Sequence, residues 1–184
     1  MGHGESRPWR SGAGLRIVPE MPSARVAILM GSDSDRPTVE AASKALAELG
    51  VASESRVLSA HRSPRLLREY VAAAPSRGIS VFIAAAGGAA HLAGVVASET
   101  TLPVIGIPIP SSPLSGLDSL LATVQMPAGV PVATVGIGES GARNAGILAA
   151  EILAVSDPAL RARLAAAKAA METKIAGLQP KENA

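Results

Sequence analysis

The chain has 184 residues, enough for one domain with a full core and too few for two ordinary ones. Hydrophobic side chains make up 48% and charged ones only 17%, which leaves little polar material for a monomer's surface and points to burial between subunits. The absence of cysteine excludes disulfides, zinc–thiolate sites and cysteine nucleophiles, and a net charge of +2 without a basic cluster argues against nucleic acid as a partner.

Residues 1–23 are rich in Gly, Ser, Arg and Pro and carry no periodicity. They read as a flexible extension holding Trp9 and His3, with Met21 as an alternative start. No apolar signal-peptide core precedes the first strand, so a cytoplasmic protein is expected. One domain should span residues 24–176, with residues 177–184 a flexible tail.

The regular pattern begins at Arg25. Residues 25–30 form an apolar run that reads as a buried strand, followed by Gly31, Ser32, Asp33, Ser34 and Asp35. Pro37 suits the first turn of a helix that should run through Val39, Ala42, Leu46 and Leu49 to Gly50. A second strand is expected near 53–58. The loop Ser59, Ala60, His61, Arg62 then leads into a helix through Leu67 and Val71. The third strand is expected at 79–85 and a helix from about Ala90. A fourth strand at 102–107 ends in the proline-rich loop 108–113. A helix near 116–124, a fifth strand at 130–135, and helices near 142–155 and 158–176 complete the chain.

One stretch admits a second reading. Residues 79–97 contain no Asp, Glu, Lys or Arg, close to the ~20 residues that span a bilayer. Two adjacent glycines, Gly87 and Gly88, and His91 at mid-span suit a bilayer poorly, so a strand, a tight turn and a helix start are preferred. Five apolar strands alternating with helices predict a parallel α/β sheet covered on both faces. Ligands in such sheets bind beyond the carboxyl ends of the strands, where the loops after the first four strands gather.

Those loops hold the candidate chemistry. Gly31 to Asp35 offers hydroxyls and free amides for a phosphate and a carboxylate for a ribose, although Ser and Asp at a helix start also serve as simple caps. His61 is suited to proton transfer near neutral pH, and Arg62 beside it to a phosphate or carboxylate. His91 follows the Gly87–Gly88 turn and reads either as a catalytic group or as a hydrogen-bonded structural one. Gly136, Gly138 and Gly141 match the dinucleotide fingerprint in form, but no strand follows to end in a ribose-binding acid. A tight turn is the preferred reading there, with Asp157 a cap on the final helix. Asp33, Asp35, His61 and His91 lack the spacing of a metal site, so no metal is expected.

Four motifs taken together are specific: Met-Gly-Ser-x-Ser-Asp at 30–35, Ser-Ala-His-Arg at 59–62, Ala-Gly-Gly-Ala-Ala-His at 86–91, and Leu-Asp-Ser-Leu…Gln-Met-Pro at 117–127. Over residues 25–163 the chain resembles the bacterial 5-(carboxyamino)imidazole ribonucleotide mutase family of purine biosynthesis. That resemblance implies a flavodoxin-like three-layer sandwich with a five-stranded parallel sheet, assembled as a homo-octamer whose sites draw on more than one subunit. It implies an isomerase that moves a carboxylate from an exocyclic nitrogen to ring carbon 4 of a small ribonucleotide, without a cofactor. Carried over by motif, Ser32, Ser34 and Arg62 hold the phosphate and Asp35 the ribose, with Ser59 also in the substrate site. His61 shuttles the proton, while Gly87, Gly88 and Ala89 wall a dry pocket for carbon dioxide that His91 borders. Ala93 and Ala128 depart from the family pattern, which has proline at the first and glycine or a basic residue at the second.

A sister class that carboxylates aminoimidazole ribonucleotide with free carbon dioxide carries lysine at the place of Arg62 and lacks the Gly-Gly-Ala-Ala-His pattern. It is the alternative enzyme. A flavodoxin-like binding protein or structural oligomer is the non-enzymatic one, but no aromatic side chain is placed to stack on a flavin.

Overall fold

The computed structural model describes residues 25–178. The extension at 1–23, with His3, Trp9 and Met21, and most of the tail at 177–184 lie outside the described residues. Five parallel strands, β1 (Val26–Met30), β2 (Ser53–Val57), β3 (Val81–Gly87), β4 (Val104–Ile109) and β5 (Ala133–Thr134), lie in the order β2-β1-β3-β4-β5. This is the flavodoxin-like doubly wound order. The helices are α1 (Arg36–Glu48), α2 (Pro64–Ala73), α3 (Leu92–Ser98), α4 (Leu117–Val124), α5 (Gly138–Ala154) and α6 (Pro158–Ala176).

Side chains alternate across a strand, so β1 feeds two separate cores. Val26, Ile28 and Met30 join Ile83, Ile105 and Ile107 beneath α1, α5 and α6. Ala27 and Leu29 join Phe82, Ala84, Leu92 and Val96 beneath α2 and α3. All of β1 is buried because helices cover both faces, and the continuous apolar run in the sequence follows from that. Edge strand β2 is polar instead, and its Glu54 accepts hydrogen bonds from Tyr70 and Arg77 of the neighbouring helical segment.

Helices α1 and α5 approach closely through small residues. A Cβ added to Gly146 would stand 2.6 Å from the Ala42 carbonyl oxygen and 3.0 Å from the Ala45 Cβ. On the other face of the sheet, Gly106 leaves room for Thr123 of α4 and for Val132.

Several boundaries differ from the sequence expectation. β3 and β4 start and end two residues later than expected, which carries β3 through Ala86 and Gly87, paired with Pro108 and Ile109. α3 begins at Leu92 because Ala90 and His91 donate to the carbonyls of Gly88 and Ala89 in two successive three-residue turns, each 2.8 Å. β5 shrinks to two residues because Pro131 has no amide to pair. α5 starts four residues earlier than expected, at Gly138. Gly141 within its first turn packs directly on the Gly136 carbonyl, so the fingerprint-like glycines are accounted for by a tight strand-to-helix turn. Asp157 caps α6, accepting from the Leu160 amide at 2.9 Å, and pairs with Arg25 at 3.1 Å. No described helix is long and apolar enough to cross a membrane.

Candidate active site

The carboxyl ends of β1, β2, β3 and β4 surround a cavity of about 300 Å³, at the small end of the range for small-molecule sites. The loop after β1 is held by the Gly31 amide, which donates to Ala85 O at 3.1 Å. Ser32 and Asp35 then cap a single 3-10 turn at Asp33–Asp35 reciprocally. Ser32 Oγ accepts from the Ser34 amide at 3.4 Å, and the Ser32 amide donates to Asp35 Oδ2 at 3.2 Å. The capping reading of this loop is therefore correct. The same residues line the cavity, so capping and ligand binding are compatible uses of them.

Asp35 is buried, only 7% exposed. Burial pushes its carboxyl above the ordinary value, against the opposing pull of the Ser32 amide, the Ser34 hydroxyl and the Arg62 charge.

The loop after β2 closes as one turn. The Ser63 amide and hydroxyl both donate to Ser59 O, at 3.0 and 3.1 Å, while the Ser59 amide donates to Ser63 Oγ at 2.9 Å. His61 projects from its tip. Arg62 reaches back across the sheet edge, donating through Nη2 to Gly31 O at 2.5 Å and through Nε to Ser59 Oγ at 3.4 Å. Those bonds aim the guanidinium, and Nη1 has no partner among the described residues.

The loop after β3 supplies the floor. Gly88 takes φ +57°, in the left-handed region where a side chain is strained. His91 meets His61, with Nδ1 of His91 2.9 Å from Nε2 of His61 and the rings nearly perpendicular at 84°. One ring must donate to the other, so the tautomers of the two are coupled.

Ser32, Ser34, Asp35, Ser59, His61, Arg62, Gly87 and Ala89 all line the cavity. Gly88 and His91 are not among the lining residues; His91 reaches the site through its contact with His61. The wall also includes Ser111, from the loop after β4, which the sequence reading did not select. The only signal was its place at the same sheet edge, in a proline-rich loop matching no motif.

Comparison with known proteins agrees with the geometry. The AIR carboxylase family model matches residues 25–174. The N5-carboxyaminoimidazole ribonucleotide mutase of Mycobacterium tuberculosis is 55% identical over 150 residues, covering 82% of this chain and 85% of that protein. The Vibrio parahaemolyticus protein of the same name is 51% identical over 160 residues, covering 86% and 99%. The crystal structure of Treponema denticola PurE superposes with a TM-score of 0.77 at 26% identity, over 84% of this chain and 98% of that one. With the family model spanning the whole sandwich and the site it carries, the chain belongs to the AIR carboxylase family.

Proposed function

We propose that the protein is the mutase of purine biosynthesis that converts the 5-carboxyamino imidazole ribonucleotide to the 5-amino-imidazole-4-carboxylate ribonucleotide. The observation that carries this reading is the union, on one cavity, of a proton-transfer side chain, His61, with a phosphate-type cradle formed by Ser32, Ser34 and Arg62. Relatives at 51–55% identity carry the mutase name.

The chemistry balances with no added reagent. The carboxylate leaves the exocyclic nitrogen as carbon dioxide, and the electron pair left on nitrogen takes the proton of His61. The electron-rich carbon 4 attacks the retained carbon dioxide, and its proton returns to His61. Asp35 accepts from the ribose hydroxyls, and Arg62 and the serines hold the phosphate. Gly87, Gly88 and Ala89 keep bulk and water away from the retained carbon dioxide. His91 fixes which nitrogen of His61 carries the proton. Positioned proton transfer of this kind contributes about 10²- to 10⁴-fold in rate.

The test is incubation with the carboxyamino ribonucleotide in the absence of bicarbonate and ATP; accumulation of the carbon-carboxylated product supports the mutase. The family name favours a second reading, direct carboxylation. Product formed only from the uncarboxylated nucleotide and carbon dioxide would establish that one. His61→Asn should lower kcat by about 10²-fold or more while the nucleotide still binds. Retained turnover would remove His61 from the mechanism.

Self-association, as a homo-octamer, forms part of the proposal. Leu117, Leu121 and Val124 on the outside of α4, with Leu114 in the loop just before it, make an apolar stripe 48–61% exposed. Beside it Asp118 Oδ1 is buried without a hydrogen-bond partner among the described residues. Both features suit a face covered by a second copy. A cytoplasmic site of action follows from the substrate, whose phosphate does not cross a bilayer unaided.

A further inference from the structure

The loop after β4 places one polar side chain on the cavity that the proposed chemistry has not used. Ser111 follows a tight turn in which its amide donates to Ile109 O at 3.0 Å. That same carbonyl accepts from the buried Ser119 hydroxyl at 2.9 Å, which ties the end of β4 to α4 and fixes where the turn stands. The neighbouring Ser112 is committed to its own turn, accepting from the Leu114 amide at 3.1 Å. The Ser111 hydroxyl has no hydrogen-bond partner among the described residues. It lies against Gly87, in the space a Cβ there would fill, and lines the cavity. Gly87 is thus a glycine because Ser111 occupies its side-chain space.

The strand order gives this position a meaning. The cradle of Ser32, Ser34 and Arg62 sits over β1 and β2, and the Gly87–Ala89 floor continues from β3. A nucleotide with its phosphate in the cradle and its imidazole laid across β3 would bring the edge of the base farthest from the phosphate over β4. That edge includes ring carbon 4, which bears the carboxylate in the product. We propose that Ser111 is a specificity-determining residue whose hydroxyl donates to the migrating carboxylate, so that it separates carboxylated from uncarboxylated ribonucleotides. This inference rests on the proposed function.

The experiment measures binding of two ligands, the 4-carboxylated ribonucleotide and the same nucleotide lacking the carboxylate, to the wild-type protein and to Ser111→Ala by calorimetry. A hydrogen bond to a charged group is worth about 10- to 100-fold in affinity. Ser111→Ala should lose that much for the carboxylated ligand and change by less than about twofold for the other. The kcat/KM for the carboxyamino substrate should fall in parallel. Equal losses for both ligands would reduce Ser111 to packing and overturn the proposal, as would no loss for either. Were the wild-type protein to bind neither nucleotide, the functional reading itself would fall and this contact with it. That outcome is distinct, because it is read before any variant is made.

Discussion

Asp35 shows how one residue can be bent by two demands. It caps the turn after β1 from a buried position, and burial raises its proton affinity although Arg62 stands near. A carboxyl raised in the folded state binds a proton more tightly there than in the unfolded chain, whose value lies near 3.9. Folding then takes up a proton in the window just above that value, and the stability Asp35 contributes is lost as pH rises through it. Glu48 and Asp157, held low by the Arg143 bond and the Leu160 amide respectively, act in the opposite sense as pH falls. Asp35→Asn keeps an oxygen for the Ser32 amide and removes the titration, together with the attraction to Arg62. Urea midpoints measured from about pH 4 to 6 should therefore decline less with rising pH in the variant than in the parent. An unchanged slope would mean that the burial cost is relieved elsewhere. At this scale His61, Arg62 and the serines were legible because adjacent residue types stated their chemistry. Ser111 was not, because its meaning depends on β3–β4 register, and neither Gly87 nor Ser111 announces the other.

At the scale of elements, the close approach of α1 and α5 rests on the absence of side chains. Alanine is the better helix former by about 1 kcal/mol, yet a methyl at position 146 would meet the backbone of Ala42 at 2.6 Å. Overpacking of that kind costs about 1–3 kcal/mol, so the clash should win. Gly146→Ala is expected to lower the urea midpoint, and a stabilised variant would show that α1 can slide. The type and order of every strand and long helix were readable from apolar runs and from Pro and Gly punctuation. The ends were less so. β5 was overestimated because Pro131 sits inside an otherwise convincing run, and α3 was started early because two tight turns consume Ala89 and Ala90 before helical bonding begins. Ala93, where the resemblance implies proline, is buried within the first turn of α3. A helix start accepts alanine as readily as proline, so the departure leaves the turn intact.

For the whole molecule, composition already suggested that the surface is incomplete. The proposed self-association would seat a second copy on the α4 stripe, beside the buried Asp118 oxygen. Leu121→Glu should lower the molar mass measured by light scattering, because a charge in an apolar contact is left without a partner. An unchanged mass would move the contact elsewhere, with the exposed Met171, Ile175 and Leu178 of the C-terminal segment the next surface to probe. The stripe begins at Leu114, three residues beyond Ser111, so the surface that would meet a neighbour and the wall of the cavity share one short segment. An assay run at very low enzyme concentration would then sample protomers that retain their fold and their histidines but hold that wall less firmly. Rates per protomer would depend on dilution, and a compound wedged under α4 would inhibit without ever touching the nucleotide's place.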